Sequence, residues 1–150
     1  MNFTSQFCTS RFQSERLLAL GLNKETADMH YYHTVDFEYN EVWSPSVIPY
    51  NNILFNAEFV GELNMIENYI IPAWSLHRLL EMMPKIIRKD LIQWYLSITP
   101  YYNDMVSYEY CGDMESRYLY KSGYNDIYTN IINCIEWLIT EGHFNKEYLE

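Results

Sequence analysis

The sequence predicts an α+β fold: an antiparallel sheet of about four or five strands with helices packed on one face. Two patterns predict it. Ser75–Met83 places apolar side chains at i, i+3, i+4 and i+7, the spacing of one helical face. Leu91–Thr99 alternates apolar and mostly polar residues, the period of a half-buried strand. We expect one domain over residues 1–150, because a chain of 150 residues suits a single domain.

The N-terminal elements are predicted from capping signals. Ser10 and Gln13 have the spacing of a capping box, and Gly21 is suited to end the helix that follows. Asn23 is placed to cap a further turn. His30–Tyr39 is rich in aromatic and β-branched residues and is predicted to be a strand.

The middle of the chain is predicted less fully. Proline and asparagine between residues 45 and 52 predict a loop, and Ile53–Val60 is a candidate strand. Glu62–Glu67 fits a helical turn or an extended segment. The helix Ser75–Met83 then begins with Ser75 as N-cap and is stopped by Pro84.

Two more strands and one long helix complete the prediction. Met105–Tyr110 is expected to pair with Leu91–Thr99, and Ser116–Lys121 to form a further strand. Asn125–Glu141 has an apolar stripe and ends before Gly142. Its apolar arc is widened on the flanks, which predicts a helix packed deep on a sheet or shared with a second subunit; the flanking residues are Ile132, Trp137 and Ile139.

Composition and charge narrow the function classes. The 15 tyrosines are expected mainly on strands and at the edge of the core, the alternative being a specific aromatic binding surface. The net charge of −10 argues against broad electrostatic binding to nucleic acid or anionic membranes. One basic cluster is interpreted as a solvated helix end rather than a phosphate or nucleic-acid contact: Arg78, Lys85, Arg88 and Lys89.

The cysteines and the N-terminus predict a cytoplasmic protein. Cys8, Cys111 and Cys134 are odd in number and share no motif spacing, which fits a reducing compartment. The first residues lack the pattern of a signal peptide, and no apolar run approaches the roughly 20 residues that span a bilayer.

Two pairs of residues are candidate chemical sites. His30 and His33, near Asp28 and Asp36, have a spacing that converges on a helix but diverges on a strand. Because a strand is predicted, they are interpreted as edge residues and not as metal ligands. His77 and Glu81 lie four apart on a predicted helix, where exposed side chains often pair without further function.

The cysteines give no nucleophile either. Cys111 lies beside Asp113 and Glu115, and nearby negative charge raises the pKa of a thiol, which disfavours a thiolate. Cys134 lies on the apolar stripe of the last helix and is assigned to the core. The sequence therefore predicts no catalytic residue, no cofactor and no metal site.

Several segments resemble small proteins of bacterial phages, prophages and other mobile elements of gut bacteria. The resemblance rests on Pro72–Pro84, the strand rich in Trp and Tyr after it, Tyr108-x-Tyr110, the segment Ile135–Phe144 and, near the N-terminus, Gly21–Met29. It implies a bacterial cytoplasmic setting and assigns no activity to any residue.

Three function classes follow as hypotheses. The first is a non-enzymatic interaction or accessory protein that binds a protein partner or itself, without direct nucleic-acid or membrane binding. The second is an acidic mimic of nucleic acid that inhibits a DNA-binding enzyme of the host, because residues 101–150 carry nine Asp and Glu against three Lys and Arg. The third is a small hydrolase-type enzyme that uses a histidine pair, His77/Glu81 or His30/His33.

Overall fold

The computed structural model describes residues 6–35, 38–49, 70–99, 104–110, 112, 117–123 and 126–150. It confirms the α+β class, with helices and antiparallel sheets. The helices are α1 (Arg11–Ala19), α2 (Leu76–Met82) and α3 (Ile127–Thr140). The strands are β1 (Met29–Val35), β2 (Glu41–Ser46), β3 (Ile70–Ala73), β4 (Ile86–Lys89), β5 (Ile92–Thr99), β6 (Met105–Tyr110) and β7 (Arg117–Ser122). Lys24–Thr26 and Lys146–Tyr148 are 3-10 turns.

The chain divides into two compact units. The first comprises Met1–Arg78 together with Tyr148–Glu150, and the second comprises Leu79–Glu147. Each unit holds one antiparallel sheet, with strand order β2-β1-β3 in the first and β4-β5-β6-β7 in the second. The strands of the described residues therefore lie in two sheets, whereas the sequence suggested one, and the single domain stays a prediction.

The first unit is built around β1. A small apolar cluster joins Cys8, Met29 and Ala73, with Tyr31 packed against it. The C-terminal residues belong to this unit, because Leu149 bridges to Leu22 and the N–H of Asn23 donates to the carbonyl of Tyr148 at 2.8 Å. Residues close to the two ends of the chain are thus hydrogen-bonded to each other.

The predicted caps of α1 are confirmed. The Ser10 side chain accepts a hydrogen bond from the N–H of Gln13, whose side chain accepts one from the N–H of Ser10. Gly21 has a φ of 85°, and the hydrogen bonds around it have the pattern of a Schellman motif. Asn23 caps the turn Lys24–Thr26 through the N–H of Glu25.

The loop predicted around Pro45 is wrong, because Glu41–Ser46 forms strand β2. Tyr31 on β1 is the register partner of Pro45. Among the described strands β2 pairs with β1 alone, and proline is tolerated on such an outer strand. β3, which contains Pro72, is the other outer strand of this sheet within the described residues, and the sequence did not predict it. The strand predicted over His30–Tyr39 ends at Val35, and Tyr39 lies in a turn with a φ of 64°.

The second unit contains the strands that the sequence predicted best. β5, β6 and β7 pair antiparallel, with a register shift between Tyr108 and Glu109. The short strand β4 was missed because its four residues follow Pro84 and end in two cations, without alternation. The predictions over Ile53–Val60, Glu62–Glu67 and residues 100–103 lie outside the described residues.

Helix α3 packs on β6 and β7 of this sheet. Asp126 caps its first turn by accepting from the N–H and the hydroxyl of Thr129. Gly142, with a φ of 73°, follows its last turn, as the sequence predicted. The buried stripe fills the core of the unit and comprises Tyr128, Asn130, Ile131, Ile132, Cys134, Ile135 and Leu138.

Candidate functional site

The two histidines of β1 lie on opposite faces of the strand, as expected for residues three apart. His30 is buried, and its Nδ1 lies 2.7 Å from the carbonyl oxygen of Ile48. The ring of His33 lies against Trp43, with centroids 5.0 Å apart, and its Nε2 is 3.8 Å from a carboxylate oxygen of Glu41. The two imidazoles therefore serve different local contacts.

Metal chemistry has no assembled ligand set in the part of the chain that the structure describes. No group of three or more His, Cys, Asp and Glu side chains is placed there to hold an ion. Asp36, the carboxylate after the His30/His33 pair, lies outside the described residues.

His77 and Glu81 are both exposed on the surface of α2, a helix of seven residues. The inward side of this helix carries Leu79 and Met82, which are buried. The pair thus lies on the solvent side of the helix, as its spacing predicts.

Burial disfavours the described cysteines as nucleophiles. Cys8 and Cys134 are buried free thiols. Burial raises the pKa of the Cys134 thiol far above its ordinary value. Burial also raises the pKa of Cys8, an effect that the hydrogen bond to the Tyr31 hydroxyl opposes and the charge of Asp28 reinforces. Both groups are held as neutral thiols, whereas Cys111 lies outside the described residues together with Asp113 and Glu115.

The wide apolar arc of α3 packs against strands of the same chain, β6 and β7. Ile132 is completely buried. Trp137 stacks on Tyr120 with ring centroids 4.7 Å apart and an interplanar angle of 24°, and it also contacts Tyr108 and His143. Of the two alternatives that the sequence left open for this arc, packing against a sheet is the one that the structure shows.

The four cations of the predicted basic cluster lie in different elements and make different contacts. Lys85 donates to the carbonyl of Leu80 near the end of α2, which is the helix-end role expected of it. Arg88 and Lys89 instead lie on β4. Arg78 lies in the first unit, where its Nε donates to the carbonyl of Thr26 at 2.9 Å. Interpretation of the whole cluster as one helix end is therefore wrong.

A polar network surrounds Trp74, which is fully buried. Its backbone exchanges hydrogen bonds with Thr9, and its indole N–H donates to the hydroxyl of Thr26 at 2.9 Å. The carboxylate of Asp28 accepts from both the N–H and the hydroxyl of Ser75. Because these polar groups are engaged by each other, the network ties α1, the 3-10 turn and the start of α2 together and has a structural role.

Among the described residues, four apolar or aromatic side chains project far into solvent. Single exposed apolar residues are ordinary, but these four have at least three quarters of their surface in water and occupy projecting positions. Phe12 lies in the first turn of α1, Tyr39 and Val47 flank β2, and Leu91 forms the tip of the hairpin between β4 and β5. We call them the projecting residues: Phe12 (76% exposed), Val47 (77%), Tyr39 (90%) and Leu91 (fully exposed).

Comparisons of the chain with protein-family models, with curated proteins and with solved structures give no match. Within the described residues, the helices are all too short or too polar to cross a bilayer.

Proposed function

We propose that this chain is a non-enzymatic interaction or accessory protein that acts by binding another protein. The observation that carries the proposal is the set of projecting residues, Phe12, Tyr39, Val47 and Leu91, on a chain whose helical apolar stripe is buried. Exposed aromatic and aliphatic anchors are the side chains that dominate the energetics of protein interfaces. The resemblance to proteins of phages and other mobile elements supports a bacterial, cytoplasmic setting for this role.

The sheet edges support binding through side chains rather than through strand addition. Among the strands that the structure describes, each outer strand carries a feature that discourages pairing with a further strand. β2 and β3 contain Pro45 and Pro72, β4 ends in Arg88 and Lys89, and β7 lies beside the register shift of β6. An interface of this protein is therefore expected to use projecting side chains.

The acidic-mimic hypothesis gains less support. It requires rows of carboxylates that are free to replace phosphates. Asp126 caps α3, Glu141 lies 3.7 Å from Lys89, and Glu147 accepts a hydrogen bond from Asn145. Residues 101–150 contain nine acidic residues, and these three have local partners. Their positions are explained by contacts within the chain and need no mimicry of phosphates.

A binding comparison tests the proposal. The tagged chain and a variant that carries Phe12→Ser, Tyr39→Asn, Val47→Ser and Leu91→Asn are used to capture proteins from the source cells. We expect a protein that the wild-type chain captures stoichiometrically and that the variant loses, with both chains equally folded by circular dichroism.

A matched control replaces exposed charged residues with serine at four sites: Glu15, Glu38, Lys146 and Glu150. This control is expected to capture the same protein as the wild type. Capture that is equal for all three chains, or no stoichiometric capture by the wild type, rejects the proposal.

A further inference from the structure

The sheet of the second unit has one face packed on α3 and one face turned away from it. On the first face, Tyr108 and Tyr120 both contact Trp137 of the helix. Side chains alternate between the two faces along a strand, and register partners share a face. Glu109, the residue after Tyr108, therefore lies on the face turned away from α3, together with its partner Tyr95.

A bulge in β7 brings a second tyrosine onto this face. Tyr108 pairs with Tyr120 but Glu109 pairs with Tyr118, so β7 holds one extra residue at the register shift. Tyr118 shares the face of its partner Glu109. Lys121 lies on the same face, since its Nζ is 5.2 Å from the centroid of the Tyr118 ring. Residues three apart on a regular strand would point to opposite faces, so the bulge is what joins Tyr118 and Lys121.

Two tyrosine side chains are exposed in one row across the strands of this face. Consecutive register partners on β4, β5, β6 and β7 form the row, which consists of Ile86, Tyr95, Glu109 and Tyr118. Tyr95 is 39% exposed, Tyr118 is 41% exposed and Ile86 is 42% exposed. Exposed apolar side chains that are grouped, unlike scattered ones, mark interaction surfaces. We call this surface the tyrosine face: Ile86, Gln93, Tyr95, Glu109, Tyr118 and Lys121.

The two tyrosines have the spacing of a polyproline II helix. Tyr95 on β5 and Tyr118 on β7 have β6 between them, so they lie two strand spacings apart, about 10 Å. A polyproline II helix has three residues per turn and rises about 3.1 Å per residue, so residues i and i+3 lie on the same side about 9 Å apart. A segment with proline at every third position can therefore place one proline ring on each tyrosine.

The polar groups of the tyrosine face suit the backbone of such a segment. A polyproline II segment makes no internal hydrogen bonds, so its carbonyl groups need donors when it docks. The Oε1 atom of Gln93 accepts from the Tyr95 hydroxyl at 3.0 Å, and the amide N–H groups of Gln93 can donate to a ligand. Lys121 adds an ammonium donor beside Tyr118. Gln93 and Lys121 are both exposed, so each tyrosine has a donor next to it.

We propose that the tyrosine face binds a protein partner through a proline-rich segment in the polyproline II conformation. The inference rests on the proposed function, because the partner is a protein, and it names the surface and the chemistry of that partner. Aromatic side chains are a recurring means of docking such segments, since the segment is already extended and loses little entropy on binding. The tyrosine row contains none of the projecting residues, so variants can separate the two surfaces.

Two other occupants fit the tyrosine face less well. Single-stranded nucleic acid also stacks on exposed aromatic rings, but Glu109 lies between the two tyrosines in the row, where its carboxylate would repel phosphates. A second copy of the chain would require a more apolar surface, because interfaces between identical subunits are enriched in apolar area. Gln93, Glu109 and Lys121 make this face about half polar.

Peptide titration of the full chain tests the inference. The probe is a synthetic alanine peptide with proline at every third position. Its control has the same composition with the prolines at alternate positions, so that no two of them lie three residues apart. We expect saturable binding of the first peptide in isothermal titration calorimetry and at least tenfold weaker binding of the control. Equal binding of the two peptides, or binding of neither, overturns the inference.

Variants of the two tyrosines then locate the site. Tyr95→Thr combined with Tyr118→Thr removes both rings, keeps residues suited to strands, and should weaken peptide binding at least tenfold. Tyr95→Phe keeps the ring and should bind within about threefold of the wild type. Tyr39→Thr, the matched loss of an exposed tyrosine outside the tyrosine face, should leave the affinity unchanged. Equal binding by the wild type and a double variant that is folded by circular dichroism overturns the inference. If the double variant does not fold, the contrast between the two peptides on the wild-type chain decides.

The two proposals fail in different ways. If the wild-type chain captures a protein from the source cells but does not bind the proline peptide, the proposed function stands and this inference fails. If the chain binds the peptide through the two tyrosines and the four-site variant still captures the partner, the tyrosine face and not the set of projecting residues is the binding surface. Binding of oligouridylate or a soluble glucan in place of the peptide overturns the inference.

Discussion

The carboxylate of Asp28 accepts two hydrogen bonds from Ser75, one from its backbone N–H at 2.8 Å and one from its hydroxyl. The Ser75 hydroxyl in turn accepts from the N–H of Arg78 and so caps α2. The N-cap of this helix is therefore fixed by a residue 47 positions earlier in the chain. A local signal, serine before an apolar run, is completed by a contact that is distant in sequence.

Removing this carboxylate should destabilise the first unit. Asp28→Ala leaves two partly buried donors of Ser75 without an acceptor, which costs about 1–3 kcal/mol in the free energy of unfolding. Asp28→Asn should cost less, because its amide oxygen still accepts from the N–H of Ser75. Urea denaturation followed by circular dichroism measures both values.

The control for this change is Glu15→Ala. Glu15 is exposed and lies 3.9 Å from Arg11 in a surface ion pair, so its loss should change stability by less than about 0.5 kcal/mol. Equal effects of the two alanine substitutions would show that the contact between Asp28 and Ser75 adds nothing to stability.

Trp137 is expected to be a structural residue of the second unit. Trp137→Ala removes a half-buried ring that stacks on Tyr120 and contacts Tyr108, and should lower the free energy of unfolding by about 2–4 kcal/mol. Trp137→Phe keeps an aromatic ring in place and should cost less. Thermal and urea denaturation provide the comparison.

The prediction also separates two roles for this side chain. If Trp137→Ala leaves stability within about 0.5 kcal/mol of the wild type but abolishes partner capture, the ring is a binding residue and the structural interpretation is wrong. If Trp137→Ala lowers stability but its folded fraction still captures the partner, the structural interpretation is supported.

The sequence predicted the elements whose signals are local. The capping box at Ser10, the positive φ of Gly21 and Gly142, and the alternation of β5 each depend on residues close together in the chain. Such patterns fix backbone conformation within one turn or one strand, so they are visible without tertiary information.

The elements that escaped prediction depend on their neighbours. Proline disfavours a central strand, and only the pairing of β2 with β1 shows that the segment around Pro45 is a strand. The four residues of β4 are held by β5 across a turn whose leucine is not a turn residue by preference. For the same reason the sequence did not reveal the exposure of Leu91 or its φ of 65°, since both arise only from the hairpin.

Relief of the hairpin strain should stabilise the protein. Leu91→Gly removes a left-handed residue that costs roughly 1–2 kcal/mol and adds an unfolded-state entropy cost of roughly 0.5–1 kcal/mol. The net expectation is an increase of about 0.5–1 kcal/mol in the free energy of unfolding. Chemical denaturation measures it, and a decrease would mean that the Leu91 side chain contributes to the fold.

The acidic cap of α3 predicts a dependence on pH. Partial burial raises the pKa of Asp126, but hydrogen bonds from the side chain and the N–H of Thr129 outweigh this effect. The pKa of Asp126 therefore lies below its ordinary value of 3.8. A lowered pKa means that the ionised cap stabilises the folded state above about pH 4, and that this stability is lost as the pH falls through the folded-state value.

Two variants isolate the charge of this cap. Asp126→Ala should lose about 1 kcal/mol at pH 7, whereas Asp126→Asn keeps an acceptor for the N–H of Thr129 and should lose less. Between pH 5 and 3 the stability of Asp126→Asn should fall less steeply than that of the wild type. Parallel pH profiles of the two chains would exclude Asp126 as a source of the acid dependence.

The buried thiols predict protection from alkylation. Burial raises the pKa of both Cys8 and Cys134, so neither forms the reactive thiolate in the folded chain. In a Cys111→Ser background, iodoacetamide at pH 8 should leave both cysteines unmodified in the folded chain and should modify both in denaturant, as measured by mass spectrometry.

The raised pKa values of Cys8 and Cys134 also predict a dependence of stability on pH. The contribution of these neutral thiols to stability is complete below the unfolded pKa of about 9.0 and is lost as the pH rises above it. Cys134→Ala should therefore flatten the fall in stability above pH 9, and rapid native alkylation of Cys134 would show that the core around it opens.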